Sequence, residues 1–207
     1  MVLPGSVTLR KVLVRTGLAL VVVAALALVV QHLRYPSDRT PEGAYYRVAL
    51  AVNRGEPAQF FAYLETPAQH ACYSIRDYRK KARARVLAAY PEPERSSMAA
   101  RHEAEANAPD GADVFSLYAR RLGWMNRLRR DLSGIAKVER RGERATVETV
   151  RGTRYPFRRR ENGIWGLTLF TATLDAEAER AARDYSVIDK AAADYARAPR
   201  PVASSSP

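Results

Sequence analysis

Residues 134–171 read GIAKVERRGERATVETVRGTRYPFRRRENGIWGLTLFT. Within them the apolar period is two, as a half-buried strand requires. Spans 135–140, 144–151, 153–160 and 164–171 read as four short strands. Arg141, Gly142 and Glu143, then Gly152, then Glu161, Asn162 and Gly163 punctuate them. Asn-Gly between alternating runs signals a hairpin, because both residues tolerate positive φ. Connections this short force antiparallel neighbours, so the strands form a meander. Trp165, Leu167 and Leu169 share one face, and Ala145, Val147 and Thr149 share another. Tyr155 and Phe157 add aromatic bulk. Pro156 lacks a ladder donor and belongs at an edge or a bulge.

Beyond the strands the period becomes helical. Leu174, Ala178, Ala181, Tyr185, Ile188, Ala192 and Tyr195 recur at four and three, a narrow seam over 175–197. Such a seam joins two copies into a homodimer through 174–195, or packs closely on the domain's own sheet through its small Ala positions. Residues 199–207 are Pro- and Ser-rich and read as a disordered tail.

Before the strands the chain is helical. Thr40, Pro41 and Glu42 give an N-cap, a proline at the first helical position and an acid in the first turn. Tyr45, Val48, Ala49 and Val52 form the stripe, and Gly55 closes the element. A second start at Glu56 and Pro57 buries Phe60, Phe61 and Leu64. Thr66 and Pro67 repeat the cap-plus-proline signal and open a helix that stops near Tyr90. Its stripe of Ala68, Cys72, Ile75, Ala82, Val86 and Ala89 is interrupted by Arg79. Its outward face carries Arg76, Arg79, Lys80, Lys81, Arg83 and Arg85. That set reads as a patch for nucleic acid or anionic lipid, or more plainly as a solvated face. No aromatic is interleaved for base stacking, which favours the plainer reading. A weaker helix over 95–106 and a loop over 107–111 follow. Asp113 then caps a helix with Phe115, Tyr118, Leu122, Met125 and Leu132 buried. Arg120, Arg121, Arg127, Arg129 and Arg130 form a second basic set on it.

At the far N-terminus residues 12–30, VLVRTGLALVVVAALALVV, are long and apolar enough to cross a bilayer as helix. Arg10, Lys11 and Arg15 precede the run, which leaves residues 1–11 cytoplasmic and sends the rest outward. The Ala-x-Ala at Ala25 to Ala27 lies inside the apolar run, so an uncleaved anchor over 12–31 is expected rather than a cleaved signal. Residues 32–39 form a polar linker to a domain over 40–198. The formal charge is +12, and four of those cations lie in residues 1–34 without an acid, leaving +8 beyond. That balance suggests an anionic neighbour, although an Arg-rich chain with only five Lys also fits a GC-rich coding sequence. Cys72 stands alone, which excludes an intramolecular disulfide.

Residues 40–64, TPEGAYYRVALAVNRGEPAQFFAYL, resemble the first two helices of NTF2-like (cystatin-like, SnoaL-type) domains. GERATV at 142–147 and ENGIWGL at 161–167 resemble that family's final meander, in which a Gly turn leads into a Trp-bearing strand. The helical insert at 66–133 and the closing helix depart from the pattern. The resemblance implies an α+β cone: helices packed on a curved antiparallel sheet around a pocket. Tyr45, Phe60, Phe61, Tyr63, Tyr155, Phe157 and Trp165 are the candidates to line it, and ordinary core packing accounts for them as well. Families of this shape include isomerases, dehydratases, ligand binders and membrane-tethered scaffolds.

Catalytic chemistry is sparse. His32, His70 and His102 share no metal-ligand spacing, and no phosphate loop or GxSxG is present. His70 and Cys72 lie two apart on a helix and point to different faces. Asp77 with Tyr78 and Asp184 with Tyr185 are acid/base candidates, although Arg neighbours make ion pairing the simpler role. No catalytic residue, metal or cofactor is assigned. The expectation is a single-pass inner-membrane protein whose periplasmic domain binds a partner protein or small apolar ligand without catalysis. The alternatives are an NTF2-like isomerase, dehydratase or hydrolase, and a basic surface binder of nucleic acid or anionic lipid; a periplasmic domain disfavours nucleic acid.

Overall fold

Thr40 starts the first helix as its residue type dictates. Its hydroxyl accepts from Gly43 N at 3.1 Å, Pro41 fills the first turn, and Gly55 ends the helix at φ 73°. In the computed structural model, which describes residues 36–197 together with Val23, this element is α1 (Pro41–Arg54). There follow α2 (Pro57–Phe61), α3 (Thr66–Ala89), α4 (Glu94–Arg101), α5 (Glu103–Ala106), α6 (Gly111–Arg121) and α7 (Trp124–Asp131). Strands β1 (Ile135–Arg141), β2 (Arg144–Thr149), β3 (Arg154–Arg159) and β4 (Trp165–Leu167) then precede α8 (Thr171–Arg197). A boundary between compact units falls after Ser37. The expected segments 1–11, 12–31 (Val23 aside) and 199–207 lie outside the described residues. Among the described residues no helix is long and apolar enough to cross a membrane.

The fold is α+β, with the antiparallel sheet in the order β1-β2-β3-β4. Ala145 stands opposite Phe157, Val147 opposite Tyr155, and Phe157 opposite Leu167. The two faces read separately from the sequence are therefore one face, and it carries the core. Leu169 does not share it: β4 ends at Leu167, Leu169 is exposed, and Phe170 takes the buried position. Pro156 sits in an inner strand rather than at an edge. Its carbonyl accepts from Thr168 N at 3.0 Å, past the end of β4, so the missing donor removes no bond from a paired strand. In the β3–β4 turn only Gly163 takes positive φ, at 82°. Asn162 contributes instead through its side chain, whose Oδ1 accepts from Ile164 N at 3.1 Å.

Four helix boundaries differ from the expected ones. Glu65, not Thr66, precedes α3, and Thr66 lies inside it. Asp110, not Asp113, caps α6 by accepting from Ala112 N at 2.6 Å. The expected helix from Asp113 to Leu132 is two helices, because Gly123 adopts φ 66° between α6 and α7. The expected helix at 95–106 likewise breaks at His102.

Two apolar clusters form. The larger joins α1, α2, the first half of α3, α6, α7 and the sheet; the smaller joins Ala82, Val86, Tyr90, Ala99, Ile188 and Ala192. The α8 seam packs along α3 rather than on the sheet, with Leu174, Ala181 and Ile188 buried and the Tyr195 ring tilted against that of Tyr90 at 4.9 Å. Side-chain hydrogen bonds tie distant segments together. Tyr45 donates to Ser133 O at 2.6 Å and accepts from Ser133 N at 3.2 Å, and Trp165 Nε1 donates to Arg39 O at 3.0 Å.

Candidate functional site

The seven aromatic candidates meet inside the larger cluster. Tyr45, Phe60, Tyr155, Phe157 and Trp165 are at most 2% exposed, Phe61 is 8% exposed, and Tyr63 is partly buried against them. Tyr45 lies 5.5 Å from Tyr155, and Phe60 packs edge-on to Phe115 and Phe170. These rings fill the space between sheet and helices and act mainly as core. Burial and the Asp38 carboxylate hold the Tyr63 hydroxyl above its ordinary range.

A cleft reaches this core from outside, and of the seven Tyr155 alone lines it, while Phe157 borders a separate open groove beside Arg144 and Arg158. The cleft measures about 230 Å³ between α7, the start of β3 and the entry to α8. Trp124 and Phe170, stacked at 4.3 Å, form its apolar wall with Leu128. Arg127, Asp131, Thr153, Arg154 and Thr173 supply polar groups. The Tyr155 hydroxyl is buried without a hydrogen-bond partner. Desolvation, then the nearby Tyr45 and Asp131, push its ionisation far up, so it stays a neutral donor. A buried donor with no partner costs stability. Trp124, Asp131 and Phe170 had no site signal in the sequence, since a helix face and a strand end read as packing.

The six basic candidates do not form one patch. Arg79 is a correction: it is buried, 8% exposed, and its guanidinium donates to Asp184 Oδ2 at 2.5 Å and to His102 Nδ1 at 3.4 Å. It interrupts the α3 stripe because it lies between the two apolar clusters, level with Asp184 on α8. Arg76 pairs with Asp77 at 3.0 Å, Arg83 with Glu103 at 3.6 Å, and Arg85 with Asp189. Lys80 and Lys81 stay exposed, with Lys81 over the Tyr78 ring at 5.6 Å. Four of the six cations thus meet carboxylates of the chain itself, including both aspartates considered for acid/base roles.

His102 completes the polar layer. A guanidinium only donates, so Nδ1 accepts and the imidazole proton sits on Nε2, which is buried and unpartnered. Burial, then Arg79, hold His102 below the ordinary histidine range. Beside it Glu105 is buried and paired with Arg121 at 3.1 Å. Cys72 is fully buried, and desolvation pushes its thiol up to about 12, which makes it inert. No cluster of His, Cys, Asp and Glu suited to a metal occurs among the described residues. Comparison with protein-family models, curated proteins and solved structures finds no match for this chain.

Proposed function

We propose that this chain is a membrane-tethered, NTF2-like binding module of the bacterial envelope, with its α+β domain on the periplasmic side of the inner membrane. It holds a small, partly apolar ligand, or a side chain of a partner protein, and performs no chemistry on it. The tether rests on the apolar run at 12–30 and the cations before it. Helices preceding a four-stranded meander support the NTF2-like reading. The observation that carries binding is the cleft, with its aromatic wall of Trp124 and Phe170 and the Arg127 and Arg154 guanidinium groups at its rim.

Arg127 makes no ion pair with a carboxylate among the described residues, although Asp131 lies one turn away on α7. A ligand with an apolar ring and a carboxylate would pack on Trp124 and neutralise Arg127. Benzoate is a suitable probe. In the detergent-solubilised full chain, titration should move the Trp124 indole N–H resonance and leave that of Trp165, which is bonded to Arg39 O. Two unmoved resonances would remove the binding reading. Fusions of alkaline phosphatase and of green fluorescent protein after Pro207 test the tether: an active phosphatase with a dark fluorophore is expected.

Asp131 favours a second reading, a pocket enzyme using that carboxylate as its acid or base. It would be supported by turnover of an isomerase, dehydratase or hydrolase substrate that Asp131→Asn abolishes while benzoate binding persists.

A further inference from the structure

The outward face of the sheet carries a charge arrangement that folding alone does not account for. Arg141 stands directly opposite Arg144 across β1 and β2, and Arg144 directly opposite Arg158 across β2 and β3. Side chains opposite one another lie about 5 Å apart, and like charges in such pairs destabilise a sheet. All three arginines are exposed, and none makes an ion pair among the described residues.

Their neighbours on the same face are neutralised. Glu139 takes both Lys137 at 2.7 Å and Arg154 at 3.3 Å, and Glu148 stands opposite Arg154. At the edge Glu143 pairs with Arg159 at 3.5 Å. Glu65 borders the same groove as Arg144 and Arg158, but its carboxylate takes the Thr171 hydroxyl. Glu139, already bonded to Lys137 and Arg154, also feels the charge of Arg141, and Glu143 and Glu161 border the groove beside Arg158. The row Arg141, Arg144, Arg158 is therefore three guanidinium forks across three strands, none of them in an ion pair among the described residues. Grooves of about 320 and 330 Å³, open to solvent, run along it past Thr146 and Pro156.

We infer that this row is a docking surface for the phosphates of an anionic phospholipid bilayer. Guanidinium forks bind phosphate oxygens in pairs, and a row across three strands presents several to a surface rather than one to a pocket. No large exposed apolar or aromatic side chain lies among them, so a base-stacking platform for single-stranded nucleic acid is missing. The apolar run at 12–30 supplies the argument for lipid over an acidic protein, because it keeps the domain beside headgroups. This surface is distinct from the cleft and does not depend on it, but the choice of lipid rests on the tether proposed above.

The test holds the full chain in immobilised nanodiscs of neutral phosphatidylcholine and offers it vesicles in solution. Vesicles containing phosphatidylglycerol should be captured and pure phosphatidylcholine vesicles should not. Capture should fall steeply from about 0.1 M to about 1 M salt. The triple variant R141Q/R144Q/R158Q should weaken capture on the order of 100-fold, about fivefold for each arginine lost. Its melting temperature should equal or exceed that of the parent, since a repulsive row has been removed; this separates lost docking from lost folding. A double variant K80Q/K81Q should capture normally. Absent capture, or capture unchanged by the triple variant, overturns the inference. So does arginine-dependent binding of duplex DNA or polyglutamate without binding of the anionic vesicles.

Discussion

At the residue scale, the polar layer of Arg79, Asp184 and His102 sets the pH response. His102 is held below its ordinary 6.5 in the fold. Unfolded chains therefore bind its proton more readily as the pH falls below that value, and stability is lost there, not gained. For one proton the slope is at most about 1.4 kcal/mol per pH unit. Urea midpoints should fall between neutral and mildly acidic pH in the parent, and His102→Gln should flatten that dependence. A variant as steep as the parent would assign the effect elsewhere. Arg79→Met should cost about 2 kcal/mol, below the 3–5 kcal/mol of a fully buried pair, because Asp184 stays 43% exposed and can rehydrate. Cys72 offers a further check: a thiol reagent should label it only after denaturant unfolds the chain.

At the element scale, β4 is short and depends on its contact with the α2–α3 connection. Leu167 N donates to Tyr63 O at 2.7 Å, and Glu65 N donates to Leu167 O at 3.2 Å. Between these bonds a Cβ on Gly166 would meet Glu65 Cα and N at 2.6 Å and Leu64 O at 2.7 Å. Those atoms are backbone and cannot rotate away. Gly166→Ala should therefore cost about 3 kcal/mol, readable as a drop in melting temperature. A variant with the parent's melting temperature would mean that β4 is not seated on this connection. Gly142, by contrast, has open space around its Cβ, so substitution there costs only its positive φ.

At the scale of the whole domain, two apolar clusters of unequal size imply unequal local stability. The smaller cluster holds α4 and the C-terminal half of α8 through alanines, one valine, one isoleucine and Tyr90. The larger one buries most of the aromatic rings. Hydrogen exchange of the full chain should show residues 94–106 and 188–197 opening at lower free energy than β2 and β3. Uniform protection would show that the polar layer at Arg79 couples the clusters into one cooperative unit.

By itself the sequence determined the strands, the α1 cap and closing glycine, and the α8 seam. These are local matters of period, cap chemistry and turn residues, and they act over a few neighbouring positions. The two breaks, at Gly123 and at His102, were harder: a single glycine inside a helical pattern costs little, so its φ is decided by what packs around it. Arg79 read as solvent-facing because a cation on a helix usually is; only Asp184, 105 residues later, and His102 make its burial tolerable. Likewise the aromatic candidates were recognisable as buried, but which of them faces a cleft depended on how α7 and α8 seat against β3. The opposed arginines of the sheet could be read as strand residues, yet their register as neighbours came from the hairpin pairing. Local propensity is written in adjacent residues, whereas which charges meet and which cavity stays open is settled by packing between segments far apart in the chain.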